Sequence, residues 1–241
     1  AKFMVVGTPS GITLAPEGGA HQSMMTPSIG IEFPDLAYYE PCFGQELEWI
    51  MLSGLEGIRQ RKRSIYLRLT TKRVDQGLFV LPDDEEARER MREKVLSGAY
   101  RLIDRSGEQE YRAGANAVHV VACGAMVPEA VEASSRLLEE KVYVNVINVT
   151  GPGPLYRRFQ SSVRSTIAGK GEMSNFLADV VPGPDRKAPV VTVVDGHPHC
   201  LAWIGSALHA PTLPLGVTGF GQSGNQAELY SAYGVDVESI M

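Results

Sequence analysis

Apolar residues in this chain follow two rhythms. Short, nearly continuous apolar or β-branched runs occupy residues 2–7, 36–40, 64–71, 117–122, 142–149 and 189–194, with a shorter one at 215–218. Runs of this length, bounded by Gly, Pro, Asp or Asn, read as buried strands. Between them apolar positions recur at three- and four-residue spacing. The clearest case is Phe43, Leu47, Ile50, Met51, Leu55 and Ile58, a pattern that predicts one buried helix face. Asp83 or Asp84 can cap a helix over 85–96, in which Glu86 pairs with Arg90. Further helices are predicted over 128–140, from Leu155 into the 160s, from Cys200 to about 208, and over 227–233, with Gly234 at the C-cap position. Residues 22–32 predict a short or broken helix ended by Pro34. Residues 97–114 and 169–185 are polar and read as loops. Strands alternating with helices imply an α/β fold, with a mostly parallel sheet covered on both faces.

Composition narrows the picture. The chain has 241 residues, 44% hydrophobic and 21% charged, with a net charge of −5. A mildly acidic chain without a basic stripe is a poor match to nucleic acid or an anionic membrane surface. No run reaches membrane-spanning length and no basic-then-apolar leader opens the chain. Cys42, Cys123 and Cys200 are odd in number and widely spaced, which fits buried free thiols in a reducing cytoplasm. The chain opens on Ala1 and stops after Ile240-Met241, as a piece of a longer polypeptide would.

Candidate chemistry is concentrated near the start. The loop from Gly11 to Ser23 holds Glu17, Gly18, Gly19 and His21 within five positions, at a strand-to-helix junction. Glycines admit close approach, and an imidazole exchanges protons near neutral pH. Elsewhere the plainer readings prevail. His197-Pro198-His199-Cys200 has metal-ligand residue types but no second cluster to complete a site. Gly151-Pro152-Gly153-Pro154 is a rigid turn, because its prolines lack the N–H groups of a phosphate cradle. His119 reads as a buried, hydrogen-bonded histidine, Cys123 as a buried thiol, and Arg59-Gln60-Arg61-Lys62-Arg63 as a solvated helix end.

Four stretches in order carry a resemblance. Glu17-Gly18-Gly19-Ala20-His21-Gln22 resembles the acid-Gly-x-x-His-Gln loop of transketolase-like thiamine diphosphate enzymes. Phe220-Gly221-Gln222-Ser223-Gly224, running into Glu228-Leu229-Tyr230 and Tyr233-Gly234-Val235, is similar to the family's C-terminal signature. Residues 95–102 and 118–124 resemble the homodimeric type of pyruvate dehydrogenase, the decarboxylating component of its complex.

The resemblance implies the end of a pyrimidine-binding domain over 1–80, a connecting region over 81–114, and a transketolase C-terminal-type three-layer αβα domain over 115–241. It implies decarboxylation of a 2-oxo acid such as pyruvate, a step of glycolytic carbon flow in the cytoplasm, with the two-carbon unit passed to a lipoyl group. His21 would be the catalytic residue, handling the charge or proton of the alkoxide formed on the substrate. Glu17 and Gln22 would face the substrate. Glu17 stands where transketolases carry the shorter Asp, and Gln22 is better suited to support the loop. Gly18 and Gly19 would lie along the cofactor.

The cofactors implied for the intact enzyme are thiamine diphosphate and Mg²⁺. The implied partners are the N-terminal part of the same enzyme, a second subunit in a homodimer, and a lipoyl acyltransferase. The family's activating Glu and its diphosphate and metal ligands fall before Ala1, so this chain alone is expected to be inactive, to hold no metal and to bind the cofactor weakly or not at all. Sugar-phosphate transketolases carry a Ser-Arg pair after the long helix. Here the strand ends Arg68-Leu69-Thr70-Thr71, with Arg68 in an undetermined direction and Arg73 nearby, which favours an unphosphorylated substrate. Transketolase and a non-catalytic dimerisation or partner-docking module are the alternatives.

Overall fold

The computed structural model describes residues 1–7, 11–170 and 176–241, so the loop expected at 169–185 lies partly outside the described residues. Two sheets form. The first holds β1 (Met4–Gly7), β2 (Leu36–Tyr39) and β3 (Ser64–Arg68) in the order β1-β3-β2, all parallel. The second holds β4 (Tyr100–Ile103), β5 (Ala117–Ala122), β6 (Tyr143–Asn148), β7 (Val190–Val193) and β8 (Thr212–Leu215) in the order β4-β6-β5-β7-β8. Only β4 runs antiparallel.

Helices α1 (Thr26–Glu32), α2 (Gly44–Arg59) and α3 (Glu85–Ser97) belong with the first sheet, and α4 (Val127–Glu139), α5 (Pro152–Ile167), α6 (His199–Leu208), α7 (Gln226–Ala232) and α8 (Val237–Ile240) with the second. Side-chain alternation along the second sheet sorts its two faces. Val120, Ala122, Val144, Val146 and Val193 pack with Val127, Ala130 and Leu137 of α4, Leu229 of α7 and Ile240 of α8. Val121, Ile147, Val190 and Val194 pack with Leu155 of α5 and Leu201 and Ile204 of α6. The second half is therefore a three-layer αβα unit on a mostly parallel sheet. No helix among the described residues is long and apolar enough to cross a membrane.

Helix ends follow the local chemistry. Asp84 caps α3 by accepting from the Ala87 N–H, and Gly98 closes that helix at φ 111°. The ends of the two sheets are tied by backbone, since Glu40 N donates to Thr150 O at 2.8 Å.

Several elements differ from the sequence expectation. The buried face of α2 is rotated. Met51 and Leu55 are 37% and 53% exposed, whereas Glu46, Trp49, Ile50, Gly54 and Gly57 face inward. Gly54 explains part of this: a Cβ there would lie 2.4 Å from Ile65 Cδ1, so the helix meets β3 through its small residues. Glu46 explains the rest. Its carboxylate accepts from Cys42 N, Phe43 N, Tyr100 Oη and Asn148 Nδ2 at 2.7–2.9 Å, and a buried carboxylate so supplied with donors is a polar anchor.

A strand, β4, lies in the stretch read as loop. Tyr100 is 1% exposed and the strand lines the edge of β6. The last strand falls at Thr212–Leu215 and not at 215–218; it is an edge strand, where Pro214 is tolerated. The helix expected from Leu155 begins at Pro152, which occupies the first turn where its missing N–H costs nothing.

Candidate active site

The C-terminal ends of strands from both sheets converge, the usual place for ligands in open α/β sheets. Glu40 follows β2, Arg68 ends β3, Gly124 follows β5 and Asp195 follows β7. Arg68 and Glu40 are each about 3% exposed and pair at 2.5 Å. The other Arg68 guanidinium nitrogen donates to Asp195 O at 2.6 Å, and Tyr38 Oη donates to the second Glu40 oxygen. Burial pushes the Glu40 carboxyl up from its usual range, with Arg68 opposing. Burial works against the Arg68 charge, but Glu40 and Tyr38 beside it hold the guanidinium above its ordinary value. The undetermined direction of Arg68 is thus settled. It points inward and is committed to an internal network.

Asp195 carries that network into the opening loop. Its Oδ1 accepts from Ile12 N at 2.8 Å and its Oδ2 from Thr13 N at 3.2 Å. Thr13 Oγ1 and Tyr230 Oη lie 2.7 Å apart. The loop continues as two short 3-10 turns, Ile12–Glu17 and Gly19–His21. Within the first of them Ala15 takes φ 46°, a strained backbone for a residue with a Cβ.

Gln22, 5% exposed, holds this turn: its Nε2 donates to Ala15 O at 2.9 Å and to Gln222 O at 3.0 Å. Glu17 and His21 are exposed. Gly18 and Gly19 press against the C-terminal turn. A Cβ on Gly18 would lie 2.7 Å from Ser223 Oγ, and one on Gly19 would lie 2.0 Å from Gly221 O and 2.5 Å from Phe220 Cε1. A Cβ on Gly221 would in turn lie 2.1 Å from Gln22 Oε1. Residues 17–22 and 220–223, the two motifs singled out in the sequence, therefore form one contact surface. It is packed too tightly to admit a side chain at Gly18, Gly19 or Gly221.

The remaining candidates are structural in geometry. His119 is buried; its Nε2 lies 2.9 Å from Asp185 O and its Nδ1 3.4 Å from Asn145 Nδ2, so Nε2 carries the proton. Burial lowers its pKa. All three cysteines are free and buried, and burial pushes the Cys123 thiol well up, away from nucleophilic use. His197 and His199 share an Nδ1–Nδ1 contact of 2.9 Å. Among the described residues no group of three His, Cys, Asp or Glu is placed to hold a metal ion.

Sequence reasoning passed over Asp195, Tyr230 and Thr13. Asp195-Gly196 registers in the sequence only as a strand stop, and Tyr230 only as part of a signature.

Comparison with known proteins bears on this architecture. No curated protein matches the chain. Solved structures do, at identities that speak to the fold alone. Transketolase from Campylobacter jejuni subsp. jejuni NCTC 11168 matches 98% of this chain with 30% of its own, at 16% identity and TM-score 0.66. Transketolase from Leishmania mexicana matches 96% of this chain with 28% of its own, at 20% identity and TM-score 0.65. A split-gene transketolase, solved as an inactive beta4 tetramer, matches 98% of this chain with 63% of its own, at 17% identity and TM-score 0.59. The chain thus spans about 30% of the length of the undivided transketolases. Residues 98–236 match the family described as the transketolase-like TK C-terminal domain, and on that match the chain belongs to the transketolase-like family, as its C-terminal portion.

Proposed function

We propose that the chain is the C-terminal part of a thiamine diphosphate-dependent 2-oxo acid dehydrogenase acting on pyruvate, with His21 as its catalytic contribution. The observation that carries the reading is the placement of His21. Its imidazole is exposed on a loop whose entry is bonded to Asp195 at the end of β7 and whose exit is held by Gln22. An imidazole so placed can protonate or stabilise an oxygen that gains charge on a bound substrate. Glu17, also exposed, is the residue of the loop able to reach a substrate hydroxyl or carboxyl, and Gln22 acts through the loop.

The cofactor's chemistry, when it is bound, is to act as the electron sink for decarboxylation. On this reading the cofactor site is shared with the rest of the enzyme. The described side chains offer no metal-holding group, and the Cβ directions of Gly18 and Gly19 are filled by the turn at 220–223. On this reading Gly18 and Gly19 lend only backbone to the cofactor, and the activating Glu and the Mg²⁺-diphosphate ligands come from the rest of the enzyme. The choice of an unphosphorylated substrate rests on Arg68, which is spent on Glu40 and the Asp195 carbonyl, leaving Thr70 and Thr71 at the strand end. Transfer of the acyl unit to a lipoyl group, and a homodimer as the working form, follow from the resemblance to pyruvate dehydrogenase.

The test is His21→Ala in the cofactor-loaded enzyme that contains this chain. Turnover of pyruvate should fall by about 10²–10⁴-fold, the range for a general acid or base. Parallel assays with pyruvate plus a lipoyl acceptor and with a ketose phosphate donor separate the dehydrogenase from a transketolase. Undiminished turnover in both assays would remove His21 from the chemistry and favour a non-catalytic assembly module.

A further inference from the structure

We infer that the second domain positions the catalytic loop, and that Asp195, Tyr230 and the turn Phe220-Gly221-Gln222-Ser223 are positioning residues of the site. The inference rests on the reading of His21 given above.

Among the described residues the His21 imidazole has no hydrogen-bond partner, so its location is set by its backbone. That backbone is irregular: two short 3-10 turns, the first of them kinked at Ala15 with φ 46°. Such a path persists only where its surroundings hold it. Its holders belong to the second domain. Asp195, 2% exposed, takes the first two N–H groups of the loop on its two carboxylate oxygens. Tyr230, 4% exposed, meets the Thr13 hydroxyl at 2.7 Å.

At the far end the Gln222 carbonyl accepts from Gln22, which also grips Ala15 O. Phe220 and Gly221 leave Gly19 no room for a side chain, and the Gln22 side chain leaves none at Gly221. The turn is itself held, since Tyr233 Oη donates to Phe220 O at 2.5 Å. Tyr230 is steadied by Lys72, whose ammonium sits 5.2 Å from the ring centre and pairs with Glu129. The loop is thus gripped at its entry and its exit, and the segment between carries the imidazole. A displacement of about 1 Å at a reacting group can cost on the order of 10²-fold in rate. Loss of one grip should therefore appear in turnover more than in substrate binding.

The experiment is a double-mutant cycle in the cofactor-loaded enzyme, using Tyr230→Phe and His21→Ala, with kcat, KM and the thermal midpoint measured for each variant. Tyr230→Phe removes one hydroxyl and keeps the ring, so the fold survives where Asp195→Asn endangers it. Tyr230→Phe should lower kcat about tenfold with KM changed less than twofold; in the His21→Ala background it should cost less than twofold, because the positioned group is gone. Thr13→Val, the other side of the same bond, should reproduce both results. An equal loss of kcat in both backgrounds, or no loss in the wild type, would overturn the inference while leaving His21 catalytic. If His21→Ala alone leaves turnover intact, the reading of His21 fails and the inference fails with it.

Discussion

The two sheets of this chain bury their strands to different depths. All six residues of β6 are buried, as are five of the six in β5. In β1 none is fully buried, and Val5 and Val6 are 45% and 51% exposed. The second sheet lies between two helical layers with an apolar cluster on each side. The first is covered by α2 and α3 around Ala37, Tyr39, Ile65 and Leu67, while beside β1 a groove of about 470 Å³ opens between Phe3, Val5, Ile29, Phe33 and Tyr66. The second layer is thus held by its own core. The first is held through β2 and β3, and through two polar ties to its neighbour, Glu40–Arg68–Asp195 and Glu46–Tyr100–Asn148. A site built across such a junction draws its rigidity from the better-packed side.

The contrast can be broken most directly by placing the same charge in each sheet. Val144 in β6 is fully buried, and Val144→Asp should cost about 4–5 kcal/mol or more, since an unpaired carboxylate enters a dry core. Val5→Asp should cost only about 0.5 kcal/mol or less, the usual scale for a surface position. Denaturant titration gives both values, and equal costs would abolish the distinction.

A smaller effect tests the tie between the layers. Arg68→Met leaves Glu40 buried without its cation and should cost roughly 3–5 kcal/mol, whereas the pair Glu40→Leu with Arg68→Met should recover much of the loss. If the single change is silent, the layers are not joined there.

The smallest effect belongs to His119 in the second sheet. Its folded pKa is depressed by burial, so above the ordinary histidine value near 6.5 both folded and unfolded chains are neutral and the contribution is complete. As pH falls below that value the unfolded chain takes a proton that the folded chain refuses. Stability then declines until the folded pKa is reached, with a slope of at most about 1.4 kcal/mol per pH unit. His119→Gln should flatten the slope of stability against pH over that window. An unchanged slope would assign the acid sensitivity to other groups.

Local pattern made the strands of both layers legible, since runs such as Val142-Tyr143-Val144-Asn145-Val146-Ile147 have few alternatives as buried structure. It misjudged α2 for a physical reason. Counting apolar positions ignores what a carboxylate gains from four converging donors, and it overlooks the close approach that Gly54 permits. It missed β4 because Tyr100-Arg101-Leu102-Ile103 is short, lies in a polar stretch, and becomes a strand only beside the edge of β6. Of the candidate site, the two glycine-containing motifs were readable as motifs. That the glycines of each motif pack against residues of the other was not. Nothing local to Asp195, Arg68 or Tyr230 signals what each holds, because their partners are chosen by tertiary proximity.

The separation of those partners along the chain has a consequence for synthesis. The loop is made well before the residues that hold it. Ile12 and Thr13 wait for Asp195, 183 and 182 positions later, Gln22 waits for Gln222, 200 positions later, and Thr13 waits for Tyr230, 217 positions later. A nascent chain that stalls between residues 222 and 230 carries the histidine on a loop that still lacks its Tyr230 contact.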